Sequence, residues 1–450
     1  MKIEAALRTD VGRVRDHNED YALVDEALGL FVVCDGMGGH AAGEVAAQLA
    51  CQTVVETIRA AAGPERVGLE LTAAESGRLQ AVMSSALENA NARVRQLSQS
   101  DVNKRGAGTT CAALLIRHGR GFVGHVGDSR IYLARQGALH RLTVDHSLVE
   151  HAVAQGIPRE LAMAKFPSNP LVRAIGLHDT VLVDTMVFDI LPEDAVLLCS
   201  DGLYDYLADA GELTQQLAGA PAPAAESLVA LANHRGGRDN ITALVIRVRK
   251  ETAIPQSEEV RHTRVREDLA ALWRMPLFHD MSYPELLELI EAANDVLLER
   301  DQIVVTEGEE SDSLYVIADG SVRIERAGQA LATLGPGCHF GEMAVLTSRP
   351  RSATVRANGP ARLIAFSRAA IHDLFSRRPA IGMKFLWTLA QVQSIRLDEA
   401  QVWGADAEAV SALKAMESTV VIQSRENGEP TYESSVETQR RFPPPLSRHR

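Results

Sequence analysis

The chain is 450 residues long, 46% hydrophobic and 23% charged, with a formal net charge of −13. That length exceeds one ordinary core and points to two or three domains of a soluble globular protein. The acidic balance argues against the broad basic footprint of a nucleic-acid binder, and no run of about 18 apolar residues offers a membrane span.

The N-terminal segment MKIEAALRTD lacks the long apolar stretch of a signal peptide, so a cytoplasmic location is expected. Residues 1 to about 250 mix strand and helix patterns. Strands are expected at Leu30–Cys34, Thr109–Arg117, Gly121–Val126, Arg130–Arg135, Val181–Phe188, Ala195–Cys199 and Ile241–Val248. RHGR and RQGA read as hairpin turns, where Gly supplies a left-handed backbone. Helical spacing covers His40–Ala61 and Ser76–Gln99; in the first, Val45, Leu49, Gln52, Val55 and Ile58 mark the inward face. Helices segregated from hairpin-connected strands indicate an α+β domain with antiparallel sheet. The five cysteines read as buried thiols of a reducing compartment, with Cys34 and Cys199 inside apolar strands.

Residues 251–276 read as a linker passing into a connecting helix. From 277 to 400 the pattern becomes short helices, then many short strands with regular turns, then closing helices from Ile371 to about Ala400. Asp319-Gly320 is expected as a hairpin turn between SLYVIAD and SVRIER. This is the pattern of a β jelly roll with flanking helices. Residues 401–450 are polar, contain three consecutive prolines, and are expected to form a disordered tail; Thr419, Thr431 and Thr438 are its candidate phosphorylation sites.

The chemistry lies in acids placed at strand ends. LGLFVVCDGMGGH runs an apolar strand into Asp35-Gly36, and DAVLLCSDGL runs another into Asp201-Gly202. GGRDNITALVI sets Asp239 just before a third strand, RDHNED supplies Glu19 and Asp20, and GDSRIYL supplies Asp128. Taken singly, each Asp reads as a turn or cap. Gathered at one sheet edge, they would repel unless a cation lay between them, and an all-oxygen set suits Mg²⁺ or Mn²⁺. Gly36, lacking a side chain, would let its carbonyl approach a metal. Two such ions can acidify a shared water and orient it for in-line attack on phosphorus. Arg15, four residues before Glu19, offers a guanidinium to phosphate oxygens.

RDHNED, DGMGGH, GAGTT, GDSRIY, DHS, SDGL and GGRDNIT occur in that order. Together they resemble the metal-dependent Ser/Thr protein phosphatase family, type 2C class, in its bacterial form, over residues 1–250. The resemblance implies a four-layer helix–sheet–sheet–helix sandwich with a dimetal site at one end. It implies hydrolysis of phosphoserine and phosphothreonine in proteins, and so partnership with a Ser/Thr kinase pathway. Asp35 would bridge two metals and Gly36 add its carbonyl. Asp201 and Asp239 would ligate one metal, with Glu19 and Asp20 binding directly or through water. Asp128 would help hold a third ion, Arg15 would bind substrate phosphate, and residues 145 to about 176 would form a flap that influences substrate choice. Arg15, Asp35, Asp201 and Asp239 are the catalytic set. Met37 stands where animal and plant members carry a His, and His40 nearby reads as structural. The rival reading, a catalytically inactive scaffold or nucleotide sensor, is opposed by the intact acids.

Further along, HFGEMAVLTSRPRSATV places a Gly turn before a short helix, so backbone N–H groups from Gly341, Glu342 and Met343 could meet an anion. With DSLYVIADGSVRI upstream, the segment 277–400 resembles the cyclic-nucleotide-binding domain family. By that resemblance Glu342 contacts the ribose 2′-hydroxyl and Arg351 the cyclic phosphate, with amides of Ser352 and Ala353 completing the cradle. The ligand is cAMP or cGMP, with cAMP favoured. A helix around Trp387–Ile395 would cap the purine through Trp387, Thr388, Gln391 or Gln393. No helix-turn-helix pattern follows, which removes a transcription-factor reading.

Overall fold

The computed structural model describes residues 2–38, 41–63, 71–207, 209–250, 256–310, 312–347, 349–402, 422–424 and 430–432. It divides into two units, Met1–Thr263 with Ser282–Pro284, and Arg264–Met281 with Glu285–Arg450.

The first unit begins with β1 (Lys2–Asp10), β2 (Asp20–Asp25), β3 (Leu30–Met37), α1 (Ala41–Ala62) and α2 (Ala73–Ser100). There follow β4 (Gly108–Thr109), β5 (Cys111–Arg117), β6 (Arg120–Val126), β7 (Arg130–Arg135), β8 (Ala138–Arg141), α3 (Leu148–Ala154) and α4 (Arg159–Lys165). It closes with β9 (Asp184–Asp189), β10 (Ala195–Cys199), α5 (Asp201–Tyr204), α6 (Ala210–Leu217), α7 (Pro221–His234) and β11 (Ile241–Arg249). One antiparallel sheet has the order β2-β3-β5-β6-β9, with β4 beside β3; the other has the order β1-β11-β10-β7-β8.

The central strands are apolar without alternation because both faces are covered. In β3, Leu30, Val32 and Cys34 join the core under α1 and α2, while β10 and β11 pack against the same strand from the other sheet. In β10, Ala195, Leu197 and Cys199 join the core under α6 and α7. The result is a helix–sheet–sheet–helix sandwich. RHGR and RQGA form its two-residue hairpins: His118 and Gly119 have φ of 50° and 71°, Gln136 and Gly137 of 52° and 81°. Positive φ at both central positions matches strand twist.

Several expectations shift. Val55 and Ile58 of α1 are buried as expected, in a stripe with Ala46, Ala50, Cys51 and Val54, whereas Gln52 is exposed and Val45 and Leu49 are half-buried. Alanines take the inward positions, letting the helix lie close to α2 and the sheet. α2 starts three residues earlier than expected, at a capping box in which Thr72 and Glu75 satisfy each other's backbone N–H. The expected strand Thr109–Arg117 is broken at Thr110, whose hydroxyl accepts the Asp35 N–H at 2.9 Å. His40 lies outside the described residues.

The second unit begins within α8 (Gln256–Arg274), which covers much of the expected linker, and continues with most of α9 (Tyr283–Glu291) and β12 (Asn294–Leu298). Next come β13 (Ile303–Val305), β14 (Ser313–Asp319), β15 (Val322–Arg326), β16 (Gln329–Leu334), β17 (His339–Phe340), α10 (Met343–Leu346), β18 (Thr354–Ala357) and β19 (Ala361–Ser367). Two helices, α11 (Arg368–Arg377) and α12 (Pro379–Val402), complete it. Two four-stranded sheets, β12-β19-β14-β17 and β13-β18-β15-β16, enclose Val305, Ile317, Val322, Ile324, Phe340, Val355 and Leu363. Asp319-Gly320 is not a hairpin: β14 and β15 belong to different sheets, so the turn hands the chain across the roll. Gly320, at φ 80°, passes so close to Pro360 that a Cβ would lie 2.5 Å from its carbonyl oxygen. Within the expected tail, β20 (Ile422–Ser424) and β21 (Pro430–Tyr432) pair antiparallel. Thr431 lies in β21, and Thr419 and Thr438 lie outside the described residues.

Phe31, fully buried in the central strand β3, gives a direct test of this core. Phe31→Ala should cost roughly 3–5 kcal/mol, seen as an earlier denaturant midpoint for the first unit; an unchanged midpoint would contradict the packing described.

Candidate functional site

Strand register brings the acids together. Asp20 and Asp35 are directly opposite across β2 and β3, so their side chains leave the same face. Asp201 opens α5 where β10 ends, and Asp239 immediately precedes β11, the neighbour of β10. Asp128 sits in the connection from β6 to β7. Arg15, Glu19, Asp35, Gly36, Asp128, Asp201 and Asp239 all line one cavity of about 570 Å³, together with Met37, Leu171 and Asn240. Asp20 does not line it. It lies beneath, where one carboxylate oxygen accepts hydrogen bonds from Ser200 Oγ and Thr242 Oγ1, each at 2.7 Å.

Burial and mutual repulsion raise these carboxyl pKa values. Asp35 is pushed well above the usual carboxylate range by burial and then by Asp20 and Asp201. Burial lifts Asp20 to about 7 against the two hydroxyl donors. Asp128 rises to about 7 through burial and Asp201, and Asp201 to about 6 through burial and Asp239. Asp201 and Asp35 also interact directly, the Asp35 carboxyl holding back the rise at Asp201 while the Asp201 charge raises that of Asp35. Carboxylates crowded in this way repel unless a shared proton or a cation lies among them.

The residues fit hard divalent cations. Asp20 Oδ1 and Asp201 Oδ1 are buried with no hydrogen-bond partner, as oxygens reserved for a cation would be. A Cβ at Gly36 would meet the Gly43 carbonyl oxygen at 2.3 Å and that of Glu19 at 2.6 Å, so only glycine fits this turn. Among the described residues, no three His, Cys, Asp or Glu side chains form a ready cage for one ion. Mg²⁺ in particular keeps several waters and uses one or two carboxylates, so an open, all-oxygen wall of this kind suits it.

Arg15 lies at the rim and pairs with Asp239 at 2.6 Å, both side chains partly exposed. The remaining framework consists of residues that lie inside the motifs but outside the acidic set. Asn240 accepts the Glu19 N–H at 2.7 Å and donates to the carbonyls of Val11 and His17, fixing the Arg15–Glu19 loop against β11. Thr110 holds the Asp35 N–H and meets Ser129 Oγ at 2.6 Å, tying the Asp35 and Asp128 backbones together. Arg130 grips Asp145 with both Nε and Nη2 and lies 3.5 Å from the Tyr204 ring centroid. Asn240 lies inside GGRDNIT, which marked Asp239 and assigned Asn240 no role of its own.

In the second unit, a cavity of about 240 Å³ is lined by Gly341, Glu342, Met343, Arg351, Ser352 and Ala353, with Phe340, Val355 and Arg349 among its other walls. Every residue expected in the phosphate cradle therefore faces one space. Gly341 has φ 84°, and a Cβ there would lie 2.2 Å from Arg351 Nη1. Arg351 Nη2 donates to the Ser313 carbonyl at 2.6 Å, and burial lowers its pKa. A buried guanidinium of this kind favours an anionic partner. Trp387, Thr388 and Gln391 lie on α12 but do not line this cavity; the Gln393 side chain lies outside the described residues.

Residues 13–232 match the family model for protein phosphatase 2C, and residues 296–378 match that for the cyclic nucleotide-binding domain. The serine/threonine phosphatase stp of Listeria monocytogenes is 36% identical over 250 residues, covering 54% of this chain and 95% of that protein. Protein phosphatase PhpP of Streptococcus pneumoniae is 33% identical over 258 residues, covering 56% and 100%. A solved structure of the catalytic domain of serine threonine protein phosphatase PstP, in complex with 2 manganese ions, is 33% identical, with TM-score 0.46, covering 55% of this chain and 99% of that one. The chain belongs to the protein phosphatase 2C family of serine/threonine phosphatases and joins that domain to a cyclic nucleotide-binding domain.

Proposed function

We propose that this phosphatase hydrolyses phosphoserine and phosphothreonine in cytoplasmic proteins marked by a Ser/Thr kinase, and that a cyclic nucleotide in the second unit regulates it. The observation that carries the catalytic half is the cavity in which Arg15 faces Glu19, Asp35, Asp128, Asp201 and Asp239. Asp35, the Gly36 carbonyl, Asp201 and Asp239 hold two Mn²⁺ or Mg²⁺ ions, Glu19 and Asp20 support them, and Asp128 helps hold a third. Such ions neutralise phosphate charge and lower the pKa of bound water. Arg15 exchanges its pairing with Asp239 for the substrate phosphate, aligning the ester by a bidentate grip. Asn240 keeps the loop that carries Arg15 in register with Asp239. The flap residue Leu171, which lines the cavity, contributes an apolar wall beside the substrate. The four thiols of this unit are buried; burial raises the pKa of Cys34, Cys51 and Cys199, and a hydrogen bond with Cys34, then burial, raises that of Cys111. None is placed as a nucleophile.

In the second unit, Arg351 takes the cyclic phosphate and Glu342 the ribose hydroxyl, with cAMP preferred to cGMP. Coupling between the sites in the usual range of about 1–3 kcal/mol would alter turnover roughly 5–150-fold.

Three outcomes test this reading. Asp239→Ala should abolish nearly all Mn²⁺-dependent hydrolysis of a phosphothreonine peptide while leaving the calorimetric transition of the unit in place; unchanged turnover would refute the site. Saturating cAMP should shift that turnover, and Arg351→Ala should remove the shift and the binding isotherm together; a turnover ratio of one with and without cAMP would defeat the regulatory half. The third outcome concerns pH. Asp20, Asp128 and Asp201 have folded values of about 7, 7 and 6, above the ordinary 3.8. Raised carboxyl values favour the folded state while protonated, so stability of the cation-free protein should fall as pH rises from about 4 to 7. Mn²⁺ should restore melting temperature most at the upper end; equal effects at both ends would contradict the crowding of these acids.

A further inference from the structure

The loop that carries Asp128 is held by a residue outside the acidic set. His146 claims both backbone groups of Gly127: its own N–H donates to the Gly127 carbonyl at 2.8 Å, and the Gly127 N–H donates to its Nδ1 at 3.0 Å. The N–H of Gly127 can only donate, so Nδ1 is the bare nitrogen and the ring hydrogen sits on Nε2. That hydrogen points to Asp184 Oδ2 at 3.0 Å, on β9, while Asp184 Oδ1 takes Arg173 Nη1 at 2.7 Å. The His146 side chain is 1% exposed, so the imidazole itself is shielded from water, although Asp184 is half-exposed.

The same residue fastens the flap. Its carbonyl accepts the Val172 N–H at 2.8 Å, beside Leu171 on the cavity wall, and its neighbour Asp145 is gripped by Arg130. Gly127 has no slack of its own: its φ is 108°, and a Cβ there would lie 2.6 Å from Thr110 Cβ. Thr110 in turn fixes the Asp35 N–H. Asp128 is therefore clamped between a hydroxyl pair on the Asp35 side and an imidazole on the flap side.

We propose that His146, held in one tautomer by Asp184, is a positioning residue that sets the Asp128 loop and the flap's return segment as a single unit. The inference rests on the reading of Asp128 as a cation-holding acid. It makes Asp128-dependent cation binding and flap placement respond together to changes at Asp184 or Arg173, remote from the cavity wall.

Two substitutions separate the ring contacts. His146→Asn keeps an acceptor near Nδ1 for Gly127, whereas His146→Gln keeps a polar group near Nε2 for Asp184 and leaves the Gly127 N–H without an acceptor. Mn²⁺ binding by the full chain is measured by titration calorimetry for both, for Asp128→Asn, and for the double variant His146→Gln/Asp128→Asn, alongside kcat and KM on a phosphothreonine peptide. His146→Gln should weaken the Asp128-dependent part of the Mn²⁺ isotherm by about 10–100-fold. The double variant should be no weaker than Asp128→Asn, and His146→Asn should recover most of the affinity. A wild-type isotherm for His146→Gln, an additive double variant, or equal damage from Asn and Gln would overturn the proposal. If His146→Gln fails to fold, the His146→Asn isotherm decides: retention of the Asp128-dependent part supports the proposal and its loss overturns it. A silent Asp128→Asn would instead locate the failure in the cation reading of Asp128, and would remove this inference with it.

Discussion

Everything in the first unit is arranged around the repulsion among carboxylates that the sheets force together. Asp20 and Asp35 face each other across a strand pair, and Asp201 reaches Asp35 from the opposing sheet. Left alone, this arrangement opposes folding at neutral pH. It persists because apolar burial on both faces of β3 and β10 fixes the backbones to which the acids are attached. The core is thus more than a source of stability. It holds charges at separations they would not choose, and the resulting demand for positive charge is what the site offers a cation.

Polar residues then determine where each acid points. Asn240, Thr110, Ser200 and Thr242 contribute no charge, yet each closes a hydrogen bond between segments far apart in sequence. Fixed dipoles of this kind do not need to reorganise when charge develops in the cavity.

The apolar runs of the central strands and the acids at their ends were legible because both follow from simple requirements: burial on two faces, and like charges gathered at one edge. The glycine hairpins were legible for the same reason, since few residues tolerate positive φ. Half-exposed β1, short β8 and the flap helices α3 and α4 carried no comparable pattern. The face of α1 was legible only at Val55 and Ile58, because large apolar residues attract attention whereas alanines make the close approach. Asp319-Gly320 looked like a hairpin because local sequence shows a turn but not which sheet the next strand joins. Asn240 and His146 stood inside GGRDNIT and DHS, but their framework roles were not legible because a hydrogen bond between distant segments leaves no periodic trace.

The Arg15–Asp239 pair carries one more implication. A guanidinium resting on a carboxylate of the acidic set acts as a built-in counter-ion when nothing else is bound. If Asp239 takes a cation and Arg15 a phosphate, as proposed, each ligand draws one member of that pair away from the other. Under that proposal, occupancy by either would free the remaining partner, and the two ligands would assist one another by breaking a contact that only the resting molecule makes.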